Sequence, residues 1–150
     1  MAEEPRPGAD YAGRDLRGAD LARADLSGAD LSGADLSDAN LSFAILAQAT
    51  LRDAILFGAD MARADLTGAD LTAADLTGVM LTRATLARAT LAGVNLTGAD
   101  LTGAILTGAD LTGADLAGAV LDRADVGGAN MEGTRWVTTT RPDGTMMSAE

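Results

Sequence analysis

The chain has 150 residues, 11 of them basic and 22 acidic, with a formal charge of -11 and a pI near 4.2. That length suggests one domain, and the acidity argues against a binder of nucleic acid or anionic membrane, whose phosphates reward the opposite sign. There is no Cys and no His, which excludes thiol catalysis, disulfides, imidazole bases and the usual zinc ligands.

Residues 1–8 (MAEEPRPG) hold two of the three prolines and read as an irregular N-terminal arm. They lack the basic and apolar regions of a secretory signal, and no apolar run approaches a membrane span. A cytoplasmic location is therefore expected.

From residue 9 to residue 133 a five-residue unit repeats without a break of phase. Its large residue, the centre, falls at Tyr11, Leu16, Leu21 and every fifth position to Val126 and Met131, which makes 25 units. Every centre is Leu except Tyr11, Met61, Val126 and Met131. Ala stands two residues earlier except at Arg14, Val79 and Val94. Five residues turn an α-helix through about 500°, so each centre would land about 140° round from the last and no face would form. On one continuous strand the side-chain period is two, and successive centres would point to opposite faces. The remaining solution turns the chain once per unit, with Ala and Leu both inward because they are two apart.

The pattern A-(D/N)-L-x-x, plainest from Leu96 to Ala119 (L-TGAD-L-TGAI-L-TGAD-L-TGAD-L-AGA), resembles the pentapeptide-repeat family. The resemblance implies an all-β fold, a right-handed four-sided parallel β-helix (a solenoid) with one unit per side and twenty residues per coil. The sequence offers a test of the four sides. Sorted by twenty, the residues two after each centre give one column of Arg23, Phe43, Arg63, Arg83, Gly103 and Arg123, while the other three columns are rich in glycine. A three- or five-sided coil would split those four arginines over two or three columns, which supports twenty residues per coil. Each inward Leu then contributes roughly 1.5–3 kcal/mol on burial, with Leu71 packed between Leu51 and Leu91. About six coils ~4.8 Å apart make a rod near 30 Å long. The exposed ends are its weak points, and Tyr11 and Trp136, in centre phase at the two extremes, read as end caps.

Residues 134–150 leave the repeat and read as a C-terminal cap or tail. Val137-Thr-Thr-Thr is β-prone and Arg141-Pro-Asp-Gly144 is a turn signal, so a hairpin lid is expected, with a dimerising tail as the competing reading.

The Asp before each centre invites a catalytic reading. Its recurrence favours a structural one, a carboxylate bonded to backbone N–H groups at the corner. Lys is absent as well as His and Cys, and a convex rod offers no cleft. No catalytic residue, cofactor or metal site is assigned. Only Asp10 over Asp30 and Asp15 over Asp35 stack carboxylate on carboxylate, where calcium could relieve the repulsion, but the calcium-binding nonapeptide is missing. Arg23, Arg63 and Arg123 are expected to pair with Asp25, Asp65 and Asp125, and Phe43 to meet Arg23 and Arg63 through its ring. Outward apolar residues, Ile55 with Phe57 and Phe43 with Ile45, are the candidates for a contact patch. Asp60, Asp65, Asp70 and Asp75 are the candidates for an acidic one.

These features point to a non-enzymatic structural or interaction module that presents an acidic rod to a protein partner, as a monomer or an end-to-end homodimer. The resemblance also implies an alternative. One branch of the family mimics DNA to bind DNA gyrase and protect it from quinolones, and the Asp columns would stand in for phosphates. Against that branch, no centre here is Phe, no loop interrupts the coils, and residues 134–150 hold no obvious counterpart of its dimerising helix. The resemblance to other members would also allow a stress or developmental regulator acting through a protein partner.

Overall fold

Each five-residue unit spends two residues on a turn, and this sets the architecture. The computed structural model describes residues 4–145. In every complete repeat the residue before the centre forms a parallel bridge to the residue twenty positions on, from Asp10 with Asp30 through to Val120 with Thr140. The coil is therefore twenty residues long and has four sides. The bridging positions define them: side one runs from Asp10 to Asn130, side two from Asp15 to Arg135, side three from Asp20 to Thr140 and side four from Asp25 to Asp125, all in steps of twenty. Among the described residues no side lengthens into an extended strand, because only three residues separate one turn from the next.

Hydrogen bonds close each side in both directions. Leu31 donates its N–H to the Thr50 carbonyl at 2.7 Å, and the Thr50 N–H donates to the Ala29 carbonyl at 2.9 Å. The turn is closed locally as well, the Ala34 N–H reaching the Leu31 carbonyl at 3.0 Å. Its third residue, two after the centre, has positive φ at nearly every corner: +64° at Gly33, +66° at Gly68. This is the requirement of a type II turn, and glycine meets it without a steric penalty. Arg23, Phe43, Arg63 and Ala73 adopt the same conformation at φ of 59–62°, at an energetic cost for residues with a Cβ.

The core is a ladder of aliphatic side chains. The centres from Leu26 to Leu121 are essentially without solvent exposure, as are the inward Ala and Val residues from Ala29 to Ala119. At the ends burial fails. Leu16 and Leu21 below, and Val126, Met131 and Trp136 above, are only partly covered.

The C-terminal segment departs from the expected hairpin. Arg135 bridges Asp115 and Thr140 bridges Val120, both in parallel, so the chain goes on winding for two more sides. Thr139 takes the place of an inward Ala and is fully buried. Its hydroxyl donates to the Leu116 carbonyl at 2.6 Å, which removes the cost of burying a polar group. The Arg141-Pro-Asp-Gly sequence does form a turn, closed by the Gly144 N–H on the Arg141 carbonyl at 2.9 Å. The stretch expected to continue as a tail, 146–150, lies outside the described residues.

Candidate interaction surface

The acidic residues before the centres brace corners. Each Asp there accepts the backbone N–H two residues on, as Asp75 does from Thr77 at 3.0 Å, and where Ser or Thr follows the centre its hydroxyl commonly donates to the same oxygen, 2.6 Å for Thr77 on Asp75. Asn40 does the same with Ser42. This is the local bonding that draws Asp and Asn to turns. The bond also favours the charged form. The hydroxyl and N–H of Ser27 hold the Asp25 carboxyl below the usual range, as those of Ser32, Ser37 and Thr112 do for Asp30, Asp35 and Asp110. At Asp70 burial pushes upward, and it is outweighed by Thr72 and the nearby Arg52.

Two carboxylate pairs stack directly, Asp10 with Asp30 and Asp15 with Asp35. The second is relieved by a guanidinium. Arg17 donates to both oxygens of Asp15, at 2.8 and 2.6 Å, and stands 3.9 Å from Asp35. Hydrogen bonds from the Arg17 side chain and then its backbone bring the Asp15 pKa down to about 2. Among the described residues no group of three or more acidic side chains is placed to hold a metal ion.

The corner arginines do not pair as expected. Among the described residues none of Arg23, Arg63 and Arg123 forms an ion pair with Asp25, Asp65 or Asp125; Arg123 instead meets Asp122 at 3.2 Å. Side chains at these corners lean along the column toward the next coil, not round onto the side. Asp38 lies over Gly58, and Gln48 lies over Gly68. Arg23 accordingly stacks on the Phe43 ring, 4.8 Å from its centroid, with Arg63 on the other side at 5.6 Å.

The candidate contact residues fall on different sides. Phe43 and Ile45 belong to the corner before side four and to side four itself. Ile55 and Phe57 belong to side two, across the column. Asp60, Asp65, Asp70 and Asp75 stand on sides three, four, one and two in turn, so they ring the rod and do not line one stripe. Within a side, carboxylates mostly sit on alternate coils. Exposure is substantial for Phe43 at 43% and Phe57 at 52%, and Ile45, Ile55, Met80 and Ile105 are similarly open.

The pentapeptide-repeat profile matches in eight copies over residues 8–38, 34–72, 69–108 and 106–135. The chain belongs to the pentapeptide-repeat family. Solved structures of such repeat proteins include HetL of the cyanobacterium Nostoc sp. strain PCC 7120, involved in heterocyst differentiation regulation. It is 34% identical over 92% of this chain and 78% of its own, with a TM-score of 0.39. A pentapeptide repeat protein of the Arabidopsis thaliana thylakoid lumen is 32% identical over 73% of this chain and 66% of its own, at 0.47. QnrB1, a plasmid-mediated fluoroquinolone resistance protein, is 20% identical over 85% of this chain and 78% of its own, at 0.44. No curated protein matches significantly.

The two ends of this pentapeptide-repeat column are finished differently. Tyr11 is buried. Its hydroxyl donates to the Glu4 carbonyl and accepts from the Arg6 N–H, both at 3.3 Å, tying the arm across the first coil. Beside it an apolar hollow of about 280 Å³ stays open between Pro5, Leu16, Leu21 and Leu31. At the other end Trp136 lies partly buried against the core, its indole N–H donating to the Thr134 hydroxyl. Neither the outward apolar residues nor the φ of the arginine corners belongs to the family motif itself. Substitution of the expected Asp by Ile at 45, 55 and 105 was the readable signal.

Proposed function

We propose that this chain is a non-enzymatic interaction module, a rigid rod whose outer surface docks on a protein partner. One observation carries the reading. At Ile45, Ile55 and Ile105 the repeat gives up its corner-bracing carboxylate and shows water a large apolar group instead. Such a substitution weakens the corner and exposes apolar surface, so stability does not account for it, whereas recognition does. Ile55 and Phe57 flank Leu56 on side two and form the most exposed such pair. The test replaces them with the residues the repeat would use, Ile55→Asp with Phe57→Thr. The variant is expected to melt no lower than the parent and yet to lose a protein that the parent retains from lysate of its own source. Equal retention by both would remove this face from the interface. Light scattering on the same pair separates a lone rod from an end-to-end dimer.

A second reading is a DNA-mimicking rod that binds DNA gyrase or topoisomerase, of the quinolone-resistance type. It is favoured by the net charge of -11 and by carboxylates on all four sides, among them Asp60, Asp65, Asp70 and Asp75. Bracing uses mainly one oxygen of each carboxylate and leaves the other out of those bonds, as at Asp75. A supercoiling assay decides it: the protein should inhibit gyrase or protect it from a quinolone, and an inert protein ends this reading.

A further inference from the structure

One corner column holds two blocks built to a single plan. In the first, Arg23, Phe43 and Arg63 occupy three successive coils and the Phe43 ring lies between the two guanidiniums. Ile45 stands two residues beyond Phe43, bridged to Asp25 on one coil and Asp65 on the other. Sixty residues later the order returns as Arg83, Gly103 and Arg123, with Ile105 bridged to Thr85 and Asp125. The backbone is the same, with φ of +59° at Phe43 and +66° at Gly103. What differs is the missing ring.

Its absence leaves a notch of about 460 Å³ lined by Thr82, Arg83, Thr102, Gly103, Ile105 and Arg123. The Arg83 stem leans toward Gly103, its Cγ 3.4 Å from where a Cβ would stand. The Arg83 side chain makes no ion pair or hydrogen bond among the described residues, while the Arg123 side chain donates only to the partly exposed Asp122. The two arginines stand two coils apart, ~9.6 Å along the axis, the spacing that already holds one ring between Arg23 and Arg63. Guanidinium groups attract the face of an aromatic ring, and Ile105 offers an apolar wall.

We infer that the notch between Arg83 and Arg123 is a binding site for one aromatic side chain of a protein partner, held as Phe43 is held between Arg23 and Arg63. An anion would meet the same two charges, but Asp122 and Asp125 stand beside Arg123 and Ile105 offers an anion nothing. The occupant's source rests on the reading of the rod as a protein-binding module. The site itself does not, and it lies across the column from Ile55 and Phe57, so each can fail alone.

The test is an NMR titration of the full ¹⁵N-labelled chain with N-acetyltryptophanamide, with N-acetylleucinamide and inorganic phosphate as comparison probes. Saturable shifts are expected at the Gly103 amide and at the Nε–H signals of Arg83 and Arg123. Binding of the leucine amide should be about two- to fivefold weaker. Gly103→Phe, at a backbone angle that already accepts Phe43, should fill the notch and abolish the shifts. Arg83→Gln, which disturbs no internal bond, should weaken them severalfold and serves should the first variant misfold. The inference is overturned by no saturable shift at these groups, by an equal response to leucine amide, by binding that survives in a folded Gly103→Phe, or by a response to phosphate alone.

Discussion

The middle coils and the end coils of this rod use the same unit and reach different results. Around Leu71 every centre packs between one coil below and one above, and none is exposed. Around Leu16 and Leu21 the same side chains have a neighbour on one face only and are partly open. The first coils are tied in addition by Tyr11 to the arm and by Arg17 across Asp15 and Asp35. In a solenoid, stability is nearly a sum of terms between neighbouring repeats, so a coil at an end holds about half of what a coil inside holds.

The sharpest way to break that comparison is to cut the same side chain in both places. Leu71→Ala is expected to cost about 2–5 kcal/mol, the range for a buried Leu in a packed core. Leu21→Ala should cost less, about 1–2 kcal/mol, since its side chain is only partly covered. Urea denaturation of the two variants measures the gap, and equal losses would mean that the ends are as well packed as the middle. Less is expected from the corners. Ala73 sits at a φ of 59° in the middle of the rod, and Ala73→Gly should gain about 0.5–1 kcal/mol, the relief of the left-handed conformation less the added freedom of the unfolded chain.

The smallest effect belongs to the first coils and depends on pH. Asp15 titrates at about 2 when folded, below its ordinary 3.8. A depressed folded pKa contributes stability that is present above the unfolded pKa and lost as pH falls through the folded one. Arg17→Gln should therefore melt slightly below the parent at neutral pH, and the difference should shrink between about pH 4 and pH 2. A difference that persists in stronger acid would place the role of Arg17 elsewhere than in its pair with Asp15.

The interior was open to reading in the sequence because its rule is strict. A centre every five residues fixes what points inward, and the arginine column supports the twenty residues per coil that the bridge ladder shows. Other features follow from geometry that residue types carry only faintly. Arg23 and Asp25 are two apart in sequence, yet the corner side chain leans along the column, and it meets Phe43. Thr134–Thr140 loses the family's residues while keeping its path, because Trp136 fills a centre and the Thr139 hydroxyl finds the Leu116 carbonyl. Glycine two residues after many centres marks the corner columns in the sequence, but the φ that explains it, and that Arg23 and Phe43 share, is a backbone property.

The twenty-residue bridge ladder also fixes which changes of length the molecule can absorb. Losing or gaining a whole coil moves everything beyond it along the axis and leaves each outer column aligned. Losing a single five-residue unit would keep the lining equally well filled while turning all later sides by a quarter of a revolution. A deletion between Arg63 and Arg83 would thus leave a well-folded rod in which the two arginine blocks no longer face the same way, so the inside tolerates multiples of five and the outside only multiples of twenty.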